Sequence, residues 1–377
     1  MLPYFFMMFL PLTYDTNLFV RNKYFLKFFI FLSLILFVGL RHSIGGDWHL
    51  YVEAGRLGSV YKSIDDTIIA LFYLLSYELF HTGIYGVNLL TASLLFYSIH
   101  KFLSLTSNFG LGLFILFPVV VVIGAMGFIS QTIAFSFGLL SIFYLSKNNI
   151  FIYFIYAILA SLSHISGIFF LIFILSIFKN LRKLIYASIF FFLVALIYYQ
   201  VNYEELNRTF YFYLGDGLGF ISAGALPRLL LTVFSAFLFL FFVKKNISNF
   251  IEKNIFTIMS LVTIISIPLA LFYSTFVDRV ALYFIPLQSY SILKTLSIVQ
   301  NLNTKKIIYL SVILVYFLVL TIWLIFGNFS KYWLPYKIFP VEYCAHQRFN
   351  QEFCLYFNYR GNIDYSQDTF DLDLRHE

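Results

Sequence analysis

The sequence predicts an all-α fold, a polytopic transmembrane bundle of about 11–12 helices. Three observations predict it. Of 377 residues, 61% are hydrophobic and 11% charged, whereas an ordinary soluble domain carries roughly 25% charged residues. Apolar runs near the length that crosses a bilayer recur along the whole chain. The Lys and Arg residues gather in alternate loops, as they do where a chain threads back and forth through a membrane. A soluble core stops growing near about 250–300 residues, so a chain this apolar could not cover its own surface in water.

The elements follow in order. Met1–Leu12 is apolar, without a basic stretch before it or a small-residue cleavage site, so it reads as a short first helix or the remnant of one rather than a cleaved signal. Eleven spans are then expected: Tyr24–Leu40, Ile84–Ile99, Phe109–Phe128, Ile133–Leu145, Ile150–Leu162, Ile165–Phe178, Leu184–Tyr199, Leu229–Val243, Ile255–Phe272, Val280–Leu296 and Ile307–Phe326. Thr67–Phe80 is apolar but broken by Ser76, Tyr77 and Glu78, and is expected as an amphipathic or re-entrant surface helix. Residues 1–326 form the expected transmembrane core, with external loops 41–66 and 200–228, and residues 327–377 an extracytoplasmic tail.

Placing Arg21, Lys23 and Lys27 in the cytoplasm and alternating from there puts 14 of the 25 basic residues inside, with only Asp15 and Glu252 of the 18 acidic ones. That arrangement obeys the positive-inside rule and leaves every long polar segment outside. The net charge of +7 thus reports topology, not a nucleic-acid partner. Cys344 and Cys354, both in the tail, lack the spacing of a zinc or redox pair; a disulfide and two separate thiols stay equally open.

Candidate functional residues cluster toward the outer side. Arg41 leaves a span at headgroup depth and is followed by Gly45-Gly46-Asp47 and Tyr51; a guanidinium there matches phosphate oxygens in a two-pronged geometry, and an ordinary interfacial arginine before a turn is the plainer reading. His42, Asp47 and His49 raise a metal site, though nothing around them supplies further support, and none is expected. His164, between two apolar runs, is of a type that exchanges protons near neutral pH, or packs helices through a neighbouring serine. Gln131, in Ser130-Gln131-Thr132, reads mainly as helix glue. Arg228 and Arg279 open two later spans, and Asp278 next to Arg279 could neutralise it. Together Arg41, Arg228 and Arg279 suggest a clamp for pyrophosphate or acidic sugars. Phosphate-loop, HExxH and GxSxG motifs are missing.

On these residues the chain resembles the EpsG-like branch of the Wzy-type polysaccharide polymerases (O-antigen, capsule or exopolysaccharide). The resemblance rests on Arg41…Gly45-Gly46-Asp47…Tyr51, Ser163-His164-Ile165-Ser166, Ser222-Ala223-Gly224…Arg228, Asp278-Arg279-Val280-Ala281-Leu282-Tyr283 and Tyr332-Trp333-Leu334-Pro335-Tyr336. Ser130 stands where the family often has arginine before Gln131.

The resemblance implies a bacterial inner-membrane glycosyltransferase, similar in core to metal-independent, lipid-donor (GT-C-like) enzymes and needing no cofactor. Its implied partners are undecaprenyl-pyrophosphate-linked oligosaccharide, membrane lipid and a chain-length regulator protein. It would join repeat units on the outer face of that membrane. Arg41, Asp47, His164 and Arg279 are the implied catalytic set; Arg228, Tyr51, Gln131, Asp278 and Tyr283 would bind substrate. Asp47 and His164 both suit the role of base. A ligase of finished glycan, an acyltransferase, a flippase or transporter of lipid-linked sugar and a non-catalytic scaffold are the rival readings. A transporter commonly shows repeated halves, and none is visible here.

Overall fold

A computed structural model describes residues 1–15, 22–57, 67–180 and 224–340, with Arg182, Tyr186 and Gln200 singly between the last two stretches. Apart from Tyr186, the expected span Leu184–Tyr199 lies outside the described residues, as do parts of loops 41–66 and 200–228 and the tail beyond Pro340 with both cysteines. Helices make up the described chain: α1 (Leu2–Phe9), α2 (Lys23–Gly39), α3 (Trp48–Leu57), α4 (Thr67–Tyr73), α5 (Gly83–Leu103), α6 (Phe109–Leu116), α7 (Ile129–Ser146), α8 (Ile150–Ser163), a 3-10 helix (Ile165–Ile177), α9 (Ala225–Leu238), α10 (Phe250–Phe272), α11 (Ser274–Ala281), α12 (Pro286–Ile298) and α13 (Leu302–Phe326). No β-strand occurs among the described residues, only an isolated bridge between Arg41 and Ile338.

The protein is a helical membrane bundle. Among the described residues, four helices are long and apolar enough to cross a membrane: Ile129–Ser146, Ala225–Asn246, Phe250–Phe272 and Leu302–Phe326. Several other expected spans form shorter helices with altered winding. Wider π-type turns extend α4 through Leu79 and α6 through Ala125. The 13 residues of Ile165–Ile177 wind as a 3-10 helix, which at about 2.0 Å per residue reaches about 26 Å, against about 20 Å for an α-helix of that length. The N-terminal stretch is itself helical, with Tyr4 and Met8 fully buried.

Burial orders the layers. Within its apolar stretch α7 is 83% buried, whereas α13 is 22% buried, so α7 is central and α13 faces lipid. The facing sides can be read residue by residue on α9. Leu226, Leu230, Phe234 and Phe237 are exposed at steps of three and four, while Leu229, Thr232, Val233 and Ala236 are buried. That is the stripe of a helix with one face on lipid and one on protein.

One end of the bundle is closed by asparagine caps. Asn149, Asn249 and Asn301 each accept backbone N–H bonds at the starts of α8, α10 and α13, a contribution of about 1 kcal/mol per cap. Asn249 and Asn254 also donate to the carbonyls of Ser146 and Ser176, joining α10 to the ends of α7 and the 3-10 helix.

The opposite end is closed by the chain beyond α13, which folds back on the loop after α2. Gly45 N–H donates to Tyr332 O (3.1 Å), His42 N–H to Lys337 O (3.1 Å) and Phe339 N–H to Leu40 O (2.8 Å). Trp333 Nε1–H bonds Val122 O, and the Tyr336 hydroxyl bonds Phe37 O. The Tyr332–Tyr336 motif is therefore a clasp over the loop that carries Arg41 and Asp47.

Candidate functional site

Helix α11 sets the centre of the site. Its Val277 and Ala281, four residues apart, bury against Leu229, Val233 and Ala270 of α9 and α10. Consecutive residues on a helix point about 100° apart, so with Val277 turned inward Asp278 and Arg279 diverge to different neighbours. Asp278 does not neutralise Arg279. It takes a two-pronged bond from Arg228 instead, Nε to Oδ1 at 2.9 Å and Nη2 to Oδ2 at 2.5 Å. Arg279 turns toward α7, where Nη1 donates to Gln131 Oε1 at 3.3 Å and the guanidinium lies over the Phe128 ring, 4.1 Å from its centre.

Arg228, Asp278, Arg279, Gln131 and Thr232 line a common cavity of about 50 Å³, walled by Phe128, Ile123 and Leu282. That volume holds a few water molecules; it marks where polar side chains converge on an apolar wall.

Two further groups lie within the electrostatic reach of Arg279. Asp47 follows the Gly45-Gly46 turn at the start of α3. Burial raises its carboxyl above the ordinary range, and Arg279 offsets only part of that rise. His164 occupies the turn between α8 and the 3-10 helix. Burial, reinforced by Arg279, pushes its imidazole down to about 4, so the ring is neutral at neutral pH. Its Nδ1 lies 2.6 Å from Ser166 Oγ, which lies 2.6 Å from the Tyr283 hydroxyl. Gly167 permits that turn, because a Cβ there would meet the Ala160 carbonyl at 2.1 Å.

The structure thus brings Gln131, Arg228, Asp278 and Arg279 around one cavity, couples Asp47 and His164 to Arg279, and ties Tyr283 to His164. Arg41 is placed differently. It is 2% exposed, donating from Nη1 to Val38 O (2.7 Å) and from Nε to Ile44 O (3.3 Å), with its guanidinium near the Trp48 ring. Carbonyls at a helix C-terminus lack partners within the helix, and Arg41 satisfies one while bracing the turn; it does not line the cavity. Burial lowers it to about 10, so it stays protonated. Tyr51 lies beside it, its carbonyl accepting from the Tyr73 hydroxyl. His42 Nδ1 pairs with the Tyr85 hydroxyl at 2.6 Å, and among the described residues no three His, Cys, Asp or Glu side chains converge as metal ligands.

Over residues 24–338 the sequence matches the model of the EpsG family. The chain belongs to that family. Comparison with curated proteins and with solved structures gives no match. For an EpsG-family chain, the matched stretch includes the whole described site, from Asp47 to the clasp.

One polar chain escaped the sequence reading. The Tyr316 hydroxyl donates to Gln288 Oε1 (2.6 Å), and Gln288 Nε2 donates to Thr232 Oγ1 (2.7 Å). All three residues are buried, and the chain links α13 and α12 to the cavity wall on α9. Its only sequence signal is a glutamine inside an expected span.

Proposed function

We propose that this EpsG-family protein is a glycosyltransferase that polymerises undecaprenyl-pyrophosphate-linked oligosaccharide repeat units into a surface polysaccharide. In this reading it lies in a bacterial inner membrane with the Arg279 end of the bundle facing outward. The observation that carries the reading is the cationic pairing at that end. Arg228 is neutralised by Asp278, while Arg279 makes no carboxylate ion pair among the described residues and borders the cavity.

The difficult step is cleavage of the sugar–pyrophosphate C–O bond. Negative charge grows on the leaving oxygen, and a fixed cation aimed at it stabilises the transition state. Arg279 suits that role, because its contacts are a long bond to an amide and an aromatic face, both easily shared with a phosphate. Arg228 and Asp278 frame the cavity beside it. Arg41 supports the loop that presents Asp47.

The test is the glycan profile of cells lacking the gene and complemented with wild type or Arg279→Ala. A single repeat unit in place of a ladder on deletion, restored by wild type and not by Arg279→Ala, supports the reading. Loss of the ladder with lipid-linked units accumulating in the cytoplasmic leaflet would identify a flippase. Long lipid-linked glycan that fails to reach its final acceptor would identify a ligase.

A further inference from the structure

His164 is the first residue before the 3-10 helix, in an extended backbone conformation, and its ring accepts from the backbone N–H of Ser166 at 3.2 Å. A backbone N–H can only donate, so Nδ1 must present a lone pair. In a neutral imidazole the proton then sits on Nε2. The remaining hydrogens follow in order. Ser166 Oγ, 2.6 Å from Nδ1, donates to it, and its own lone pair accepts from Tyr283, 2.6 Å away. The chain runs one way, from Tyr283 through Ser166 into the ring.

We propose that His164 acts at this centre as a hydrogen-bond donor through Nε2, fixed in that tautomer by Ser166 and Tyr283, and not as the base. The inference rests on the polymerase reading. In the reaction, the acceptor hydroxyl oxygen forms a bond to the anomeric carbon of the donor glycan. The bond from that carbon to the pyrophosphate oxygen breaks, and its electron pair leaves with the lipid pyrophosphate. The hydroxyl proton passes to water. His164 Nε2–H donates to a pyrophosphate oxygen without giving up its proton, and Arg279 stabilises the same charge. Donation into Nδ1 makes the ring more like an imidazolium and so strengthens the Nε2–H donor. Ser166 and Tyr283 are positioning residues.

Arg279 acts electrostatically on the ring, and Tyr283 stands beyond Ser166.

The test uses the full chain reconstituted in lipid vesicles with a lipid-pyrophosphate oligosaccharide. His164→Ala is expected to lose about ten- to a hundredfold in kcat/KM, the worth of one hydrogen bond to a charged group. His164→Gln, whose amide N–H can donate but which cannot act as a base, recovers most of that loss. If His164→Gln is as inactive as His164→Ala, the assignment is overturned.

A second measurement does not depend on turnover. Nitrogen-15 spectra of histidine-labelled protein, with the His164 signal assigned by its absence in His164→Gln, should show Nδ1 bare and Nε2 protonated between pH 6 and 8 (about the range where a free histidine titrates). A proton on Nδ1 would overturn the tautomer. The stated tautomer in a protein that forms no polymer would refute the polymerase reading and leave the hydrogen-bond network standing.

Discussion

Gly45→Ala, with Gly46→Ala as its neighbour and control, probes how the loop before α3 holds Asp47. Gly45 has φ +113°, and a Cβ built on it would lie 2.1 Å from the carbonyl oxygen of Met126. Forcing a side chain into that backbone region costs about 1–3 kcal/mol. Overpacking against a backbone atom that cannot rotate away adds about 1–3 kcal/mol. The expected loss is about 4 kcal/mol.

A Cβ on Gly46 meets no atom within 4 Å, so Gly46→Ala should change stability by no more than about 0.5 kcal/mol. For a chain of this length the unfolding entropy is of order 0.8 kcal/mol per kelvin, and the Gly45 penalty corresponds to a Tm lower by about 5 °C. The assay is thermal unfolding of the detergent-solubilised chain followed by tryptophan fluorescence. Trp48 and Trp333 flank this loop and make the probe local. Equal melting of the two variants within about 1 °C would refute the account of the turn.

Asp278→Asn should destabilise the protein by about 1–3 kcal/mol, below the value for a fully buried pair because the two side chains retain 18% and 24% of their exposure. In a thermal-melt double-mutant cycle, adding Arg228→Met should cost less than it does alone. Gln288→Leu leaves the buried Tyr316 hydroxyl without its acceptor, a loss of about 1–3 kcal/mol. Combining it with Tyr316→Phe should recover most of the lost stability in the same melt.

Much of the bundle was legible because helices in lipid must be apolar and long, and the runs around Ile133, Leu229, Ile255 and Ile307 carry that signal directly. The winding of Ile165–Ile177 and of the turns after Leu116 was not, because these turns adjust to packing partners far away in sequence. In the site, side-chain chemistry singled out Gln131, Arg228, Asp278, Arg279 and His164. Their pairing stayed hidden. Asp278 and Arg279 are adjacent in sequence, yet a helix turns them apart, and the partner of Asp278 lies fifty residues upstream. Arg41 looked outward by its place at the end of a span, but the unsatisfied carbonyl of Val38 turns it inward. Ser166 entered only as part of a motif, since its role depends on a hydroxyl more than a hundred residues downstream.

The separate fates of Arg228 and Arg279 bear on what the site can do. A guanidinium already bonded on two atoms to a carboxylate has little charge left to give, and a phosphate approaching it must compete with Asp278. Arg279 has no such competitor among the described residues. Its bond to Gln131 is long, and Phe128 holds the guanidinium plane by contact rather than by directed bonds. Most of its N–H donors can therefore meet an incoming oxyanion with little rearrangement, the condition under which electrostatic stabilisation of a transition state is most effective. The Asp278–Arg228 pair contributes by holding the carboxylate next to Arg279 in sequence on Arg228. Asp278→Asn should on this argument weaken the fold while leaving Arg279 as exposed to substrate as before, whereas moving the carboxylate within reach of Arg279 should inhibit turnover in addition.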